Sequence, residues 1–278
     1  MENPEVLLKR RRNADQTRLA KQALAQQRKD TKRVKKNKFV RPESLVAKTL
    51  ATTREKERIR RVGKTRGEGS EFILRVRGGD SKEDGSEGET QIEKVAYDGK
   101  PQLLLVVRVR GPTAVNIPHK AYKVLQVLRL VHLNQGVFFR LTAQTFDLLR
   151  IVAPYVVVGE PSLSCVRSLV QKRGRVTWNG KQDVLLNDNT MVEEALGEHG
   201  IICIEDVVHE IASLGPAFKQ CCFFLKPFQL SRQVSGFGAL QKLKKLELRE
   251  QDGERQLSNA AAAPIIEVDI DELVAKMN

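Results

Sequence analysis

The side chains able to do chemistry in this chain are mostly cations, and they come in clusters. Lys9, Arg10, Arg11 and Arg12 form one run, Lys32, Arg33, Lys35, Lys36 and Lys38 a second, and Arg58, Arg60 and Arg61 a third. Ammonium and guanidinium groups at such density neutralise phosphates, so their chemistry is the binding of a polyanion, most often a nucleic acid. Two smaller groups stand apart, His119, Lys120 and Lys123, then Lys172, Arg173 and Arg175. The first opens an expected helix, where backbone N–H groups and the dipole already favour an anion. The second closes one, where cations also have a structural use at the negative end of the dipole.

Groups suited to catalysis are poorly arranged. Glu205 with Asp206, and Asp269 with Asp271, lie too close in sequence to act as opposed acid and base. His199 and His209 have no Ser or Cys partner in a nucleophile context. Gly63-Lys64-Thr65 invites comparison with a phosphate-binding loop, but Arg58 stands where that motif needs its first glycine, and no strand precedes it. Cys165, Cys203, Cys221 and Cys222 form no CxxC pair and sit in apolar stretches, so they read as buried reduced thiols rather than zinc ligands. The expectation is a non-enzyme with no metal, no cofactor and no small-molecule substrate. An RNA-processing enzyme is the competing class.

The net charge of +14 is unevenly placed. Residues 1–66 hold 22 Lys+Arg and 7 Asp+Glu, a balance of +15, which leaves −1 for residues 67–278. Such a block is an arm for a polyanion. A membrane partner is not expected: the arm lacks a broad apolar face with Trp or Phe, no run approaches the ~18 apolar residues of a span, and no signal-peptide core follows the first charges.

These cations need elements to hold them. Residues 5–36 are good helix formers. Asn37–Pro42 breaks the pattern, and a second helix runs from Glu43 to about Val62 with sparse apolar positions Leu45, Val46, Leu50 and Ile59. The segment reads as an arm that orders along RNA, against the plainer alternative of a solvated charged helix. Residues 67–96 read as an acidic, flexible linker with one strand-like island, Phe72–Val76. The compact part starts with Leu103–Arg110, a strand, followed by an amphipathic helix over Pro118–Val131 with Asn116 as N-cap and Pro118 in the first helical position. Gly136–Leu141 is a strand, Thr142–Val152 a helix, Tyr155–Val158 a strand and Ser162–Gln171 a helix. Arg175–Trp178 and Lys181–Leu186 flank Asn179-Gly180 as a hairpin, with Trp178 as a packing residue. Thr190–Leu196 and Glu205–Ser213 are further helices, with the apolar run Ile201–Ile204 between them. Phe218, Phe223, Phe224, Leu225 and Phe228 form an aromatic patch that closes the core. Beyond Gly236, Ala239–Arg249 reads as a basic amphipathic helix, 251–264 as extended chain and Asp269–Met277 as a short helix. The domain pattern is 1–66 arm, 67–96 linker, 97–234 core and 235–278 tail.

Three stretches carry a family resemblance: VRVRGPTAVNIPHKAYKVLQVLRLVHLNQGVFFRL, LRIVAPYVVVGEPSLSCVRSLVQKRGRV and LNDNTMVEEALGEHGIICIEDVVHEIASLG. They resemble the eukaryotic large-subunit ribosomal protein L seven family, called L thirty in bacteria, over roughly residues 95–235. The resemblance implies an α/β, ferredoxin-like βαβαβ core with a helical C-terminal extension and a basic helical N-terminal arm. The N-terminal stretches, the acidic linker and the tail depart from the mature ribosomal protein and resemble the assembly-factor branch of the family. That branch implies a nucleolar, nuclear protein on large-subunit precursors. It would contact the internal transcribed spacer region of pre-rRNA, support rRNA processing, and have other assembly factors and ribosomal proteins as neighbours. A structural protein of the mature subunit is the alternative.

Overall fold

A computed structural model describes residues 4–34, 39–62, 72–77, 91–109, 111, 115–178, 180–231 and 264–278. The expected basic helix over 239–249 and most of the extended stretch over 251–264 lie outside the described residues. The core begins with β3 (Gln102–Arg108), α3 (His119–Val127), β4 (Gln135–Leu141), α4 (Ala143–Val152) and β5 (Val156–Gly159). β3 lies between β4 and β5 and is antiparallel to both, with Leu105 opposite Phe138 and Val106 opposite Val158. This is the expected βαβαβ unit.

β3 is buried from Leu103 onward because helices cover both faces of the sheet. Alternation along the strand sends Leu104 and Val106 into one layer and Leu103, Leu105 and Val107 into the other. The first layer is α2 (Pro42–Val62), α3 and α4, which contribute Ile59, Ala121, Val124, Leu125, Phe146, Leu149 and Val152. The second is α5 (Leu163–Arg173), α6 (Asn189–Leu196), α7 (Ile204–Ala212), α8 (Phe218–Phe224) and α9 (Ile270–Met277). β6 (Arg175–Trp178) and β7 (Lys181–Leu185) form the expected hairpin, and Trp178 packs against the second layer.

Helix starts follow local chemistry. Thr142 and Thr145 make a reciprocal capping box on α4, the Ser162 hydroxyl accepts from the Cys165 N–H at 3.3 Å, and Asp269 accepts from the N–H groups of Asp271 and Glu272. α3 differs from its expectation. Pro118 is the N-cap, not the first helical residue, and Asn116 makes no cap; its backbone N–H donates instead to the Thr52 hydroxyl of α2. α3 also ends at Val127, four residues early, because Arg129 takes a left-handed conformation (φ 58°) and turns the chain. Val131 is therefore exposed rather than part of the helix face. Ile201–Ile204 forms no strand; it leads into α7 with Ile201 buried. In the aromatic patch, Phe218, Leu225 and Phe228 are buried, but Phe223 is 64% exposed beneath the Arg129 guanidinium.

The sheet is larger than the sequence suggested. Its order is β2-β1-β9-β5-β3-β4-β8, with β1 at Phe72–Arg77, β2 at Gln91–Ala96, β8 at Phe228–Gln229 and β9 at Ile265–Val268. The stretch read as a linker with one strand contains an antiparallel pair, and the tail supplies a strand that joins this pair to the core. β9 runs parallel to β1 (Ile73 beside Ile265) and to β5 (Val158 beside Glu267), and Arg75 bonds Glu267 at 3.1 Å across the first of these seams.

Gly159 makes the β5–β9 seam fit. A Cβ there would stand 2.5 Å from the Val268 carbonyl oxygen and 2.6 Å from the Ile270 Cβ. Gly159→Val is expected to cost about 1–3 kcal/mol through overpacking. Urea denaturation measures the loss, and hydrogen exchange should locate it as lost amide protection in 265–268 and in β1.

Candidate nucleic-acid interface

Two predicted phosphate contacts are core residues. Arg58 is 1% exposed. Its guanidinium grips Glu55 through both carboxylate oxygens, at 2.7 and 3.0 Å, and donates to the carbonyls of Arg150 (3.1 Å) and Ile151 (2.7 Å) at the end of α4. Arg173 is 8% exposed. It donates to the carbonyls of Met277 (2.9 Å) and Gln229, to the Ser231 hydroxyl (3.0 Å) and to the Asn278 side chain (2.8 Å). Burial lowers its pKa to about 10. Neither arginine is the phosphate contact expected of it: their donors hold backbone ends of this chain and are not available to phosphate. The signal was present in the spacing. Val166, Leu169, Val170 and Arg173 fall on one helical face, and Arg58 adjoins the buried Ile59.

The remaining described candidates are exposed. Arg60 and Arg61 stand in the last turn of α2, His119, Lys120 and Lys123 in the first turns of α3, and Lys172 and Arg175 around the end of α5. Arg61 also lies 3.8 Å from Glu57, an exposed pair worth about 0–1 kcal/mol and easily exchanged for another anion. Lys9, Arg10, Arg11, Arg12, Lys32 and Arg33 belong to α1 (Pro4–Val34), but their side chains lie outside the described residues, as do Lys35, Lys36 and Lys38 altogether.

The exposed cations form two patches on opposite sides of the sheet. On the first side, the Asn116 N–H donates to the Thr52 hydroxyl at 3.2 Å and brings α2 against the entry to α3. Lys48 and Lys56 flank Thr52 one helical turn away on either side and are exposed. No sequence pattern marks them; the contact of Thr52 with Asn116 singles them out. They join His119, Lys120 and Lys123 around a helix N-terminus that has no side-chain cap and no acidic residue in its first turn. Its unpaired N–H groups and positive dipole end add to the five side chains. On the second side, α1 rests against α5, and the Ser231 hydroxyl donates to the Gln22 side-chain oxygen at 3.3 Å. Lys172 and Arg175 lie on that side, along with Arg18 of α1.

The carboxylates considered for catalysis have structural partners. Glu205 accepts from Arg167 (3.0 Å) and Gln171 (3.1 Å), and Asp271 accepts from the Ser162 N–H. Asp206 accepts from the N–H groups of Ile202 and Cys203, bonds that lower its pKa. Among the described residues no three His, Cys, Asp or Glu side chains cluster to hold a metal, and no helix is long and apolar enough to cross a membrane. Burial pushes the thiols of Cys165, Cys221 and Cys222 up to about 12.

The stretch 104–156, which spans β3 to the start of β5, matches the family model described as ribosomal protein L30p/L7e. The ribosome biogenesis protein RLP7 of Saccharomyces cerevisiae is 53% identical, over 99% of this chain and 96% of the relative. RLP7 of Kluyveromyces lactis is likewise 53% identical, over 99% and 98%. The large ribosomal subunit protein uL30 of Yarrowia lipolytica is 43% identical over 87% of this chain and 85% of its own. The chain belongs to the RLP7 family of ribosome biogenesis proteins. Likeness to the RLP7 relatives spans arm, core and tail together.

Arg58→Ala would leave Glu55 buried and uncompensated, with an expected loss of about 3–5 kcal/mol. Arg61→Ala should change the urea midpoint by the equivalent of about 0.5 kcal/mol or less. At mildly alkaline pH a thiol reagent should label Cys203 in the native protein and reach Cys165, Cys221 and Cys222 only after unfolding, as read by mass spectrometry.

Proposed function

We propose that the protein is a non-catalytic assembly factor of the large ribosomal subunit. It binds precursor rRNA in nuclear, nucleolar particles, contacts the internal transcribed spacer region, and supports rRNA processing among other assembly factors and ribosomal proteins. The observation that carries this reading is the joining of α2 and α3 by the Thr52–Asn116 bond. That contact gathers Lys48, Lys56, His119, Lys120 and Lys123 about the uncapped start of α3. Such a surface suits phosphates of folded RNA, and the basic α1 on the other side of the sheet offers further cations. The near full-length likeness to proteins named for ribosome biogenesis supports the assembly role over a place in the finished subunit.

Phosphate contacts of this kind make affinity fall steeply with salt. Replacing Lys120 and Lys123 by Gln should reduce the slope of log K against log salt by about 1.4–1.8, at about 0.7–0.9 per contact, in equilibrium binding to a large-subunit precursor transcript. An unchanged slope would remove α3 from the interface. A truncation that tests the arm has to stop before α2, because Glu55, Arg58 and Ile59 are part of the core. In cells, the protein should sediment with large-subunit precursors and be absent from translating polysomes. Its presence on polysomes would instead make it a structural protein of the mature subunit.

A further inference from the structure

α2 carries two faces that cannot both be satisfied by this chain's core. Its C-terminal half docks through Glu55, Arg58 and Ile59. Its N-terminal half stands clear: every residue from Phe39 to Leu50 is exposed. That half nevertheless holds Leu45, Val46 and Leu50, each more than half exposed, just after Val40 and Phe39, the latter 87% exposed. At about 100° per residue, the mean direction of Leu45, Val46 and Leu50 points roughly 170° away from that of Glu55, Arg58 and Ile59. The aliphatic stripe is therefore on the back of the docked helix. Rotation that buried it would tear out the Arg58–Glu55 pair.

We propose that this stripe, Leu45, Val46 and Leu50 with Phe39 and Val40, is a docking face for a protein neighbour that offers an aliphatic groove with an acidic rim. RNA is a poor occupant, since unstacked bases are held by aromatic or guanidinium planes and phosphates by donors, and Leu and Val offer neither. The rim follows from charge: Arg41 and Arg54 border the stripe against Glu43. The same sign disfavours a second copy of this helix, and it disfavours the chain's own apolar-basic stretch 239–249, which holds Lys242, Lys244, Lys245 and Arg249. The acidic stretch 78–90 has the right charge but no large aliphatic residue to pair with the stripe. A helix laid in a groove reads its partner through positions such as i and i+4, as Val46 and Leu50 stand here, with Leu45 beside them.

The inference is independent of the RNA reading, and one experiment separates them. A photo-crosslinking amino acid is placed at position 46 of the full chain in cells, and in a parallel strain at position 60 on the basic half of α2. After irradiation each adduct is divided between nuclease and protease, and linked peptides are sequenced. The position-46 adduct should survive nuclease and resolve to one protein, through a peptide rich in aliphatic and acidic residues. With Leu45→Gln and Leu50→Gln, which add no charge, its yield should fall at least tenfold, while the urea midpoint of the purified double variant and its RNA affinity stay unchanged. A nuclease-sensitive adduct at 46, a crosslink to a second copy, a crosslink to the chain's own 232–263, or no adduct at all would each overturn the proposal. The position-60 adduct reports on RNA alone, so either reading can fail without the other.

Discussion

The structure depends on guanidinium groups closed over backbone carbonyls where elements end. The last carbonyls of a helix lack N–H partners and sit at the negative end of its dipole. Arginines from distant parts of the chain satisfy them here. Arg58 of α2 holds the end of α4, Arg173 of α5 holds the end of α9, and Arg129 holds Cys222 and Leu225 at the end of α8. Arg140 of β4 reaches Leu214 and Gly215 after α7, and Arg108 of β3 reaches Leu130 and Val131 after α3. A planar fork with five donors can hold two carbonyls at once, which an ammonium group on a flexible stem does poorly. Burial lowers the pKa of Arg108, Arg129 and Arg173, so the charged state carries a desolvation cost that these charge-assisted bonds offset. Part of the chain's basic content is therefore architecture, and only what remains in solvent can serve RNA.

That division explains what the sequence could and could not disclose. β3, β4 and α4 were legible because a run such as Leu103–Val107, or the 3.6-residue period of Phe146, Leu149 and Val152, is a local pattern set by burial on known faces. β2 and β9 were not. Ile265–Val268 is four residues long, and its partners Ile73 and Val158 lie far back in the chain, so its pairing has no local signature. Arg58 and Arg173 were read as phosphate contacts because they stand in basic runs, although their helical spacing puts them on the face of the buried Ile59 and of Val166, Leu169 and Val170. In the proposed interface, the place of His119, Lys120 and Lys123 at a helix start is a local sequence signal. Lys48 and Lys56 depend on a contact between residues 52 and 116, and no spacing rule contains it.

The same long-range contacts change how the arm, the acidic stretch and the tail relate to the core. α1 is laid on the α5 side and α2 on the α4 side, while the tail strand β9 inserts between β1 and β5. Each of these segments is fastened at one end by buried or half-buried polar groups: Arg58 with the carbonyls of Arg150 and Ile151, Arg75 with Glu267, and Arg173 with the C-terminal residues Met277 and Asn278.

A fastened arm behaves differently from a free one. Ordering a residue costs about 1–2 kcal/mol of backbone entropy, and a wholly disordered basic arm would bear that cost along its length at the moment of binding. In α2 folding has already borne it for the docked half, and that half fixes the direction of the rest. The exposed cations beside Thr52 are then held at a set distance from the start of α3, so on the proposed reading phosphates would meet a preorganised surface. Preorganisation also confers selectivity. A flexible polycation accepts any polyanion, whereas cations fixed on two helices joined by a hydrogen bond favour RNA whose phosphates match their spacing. In this chain the buried arginines, whose donors hold backbone carbonyls, set the geometry that the exposed lysines present.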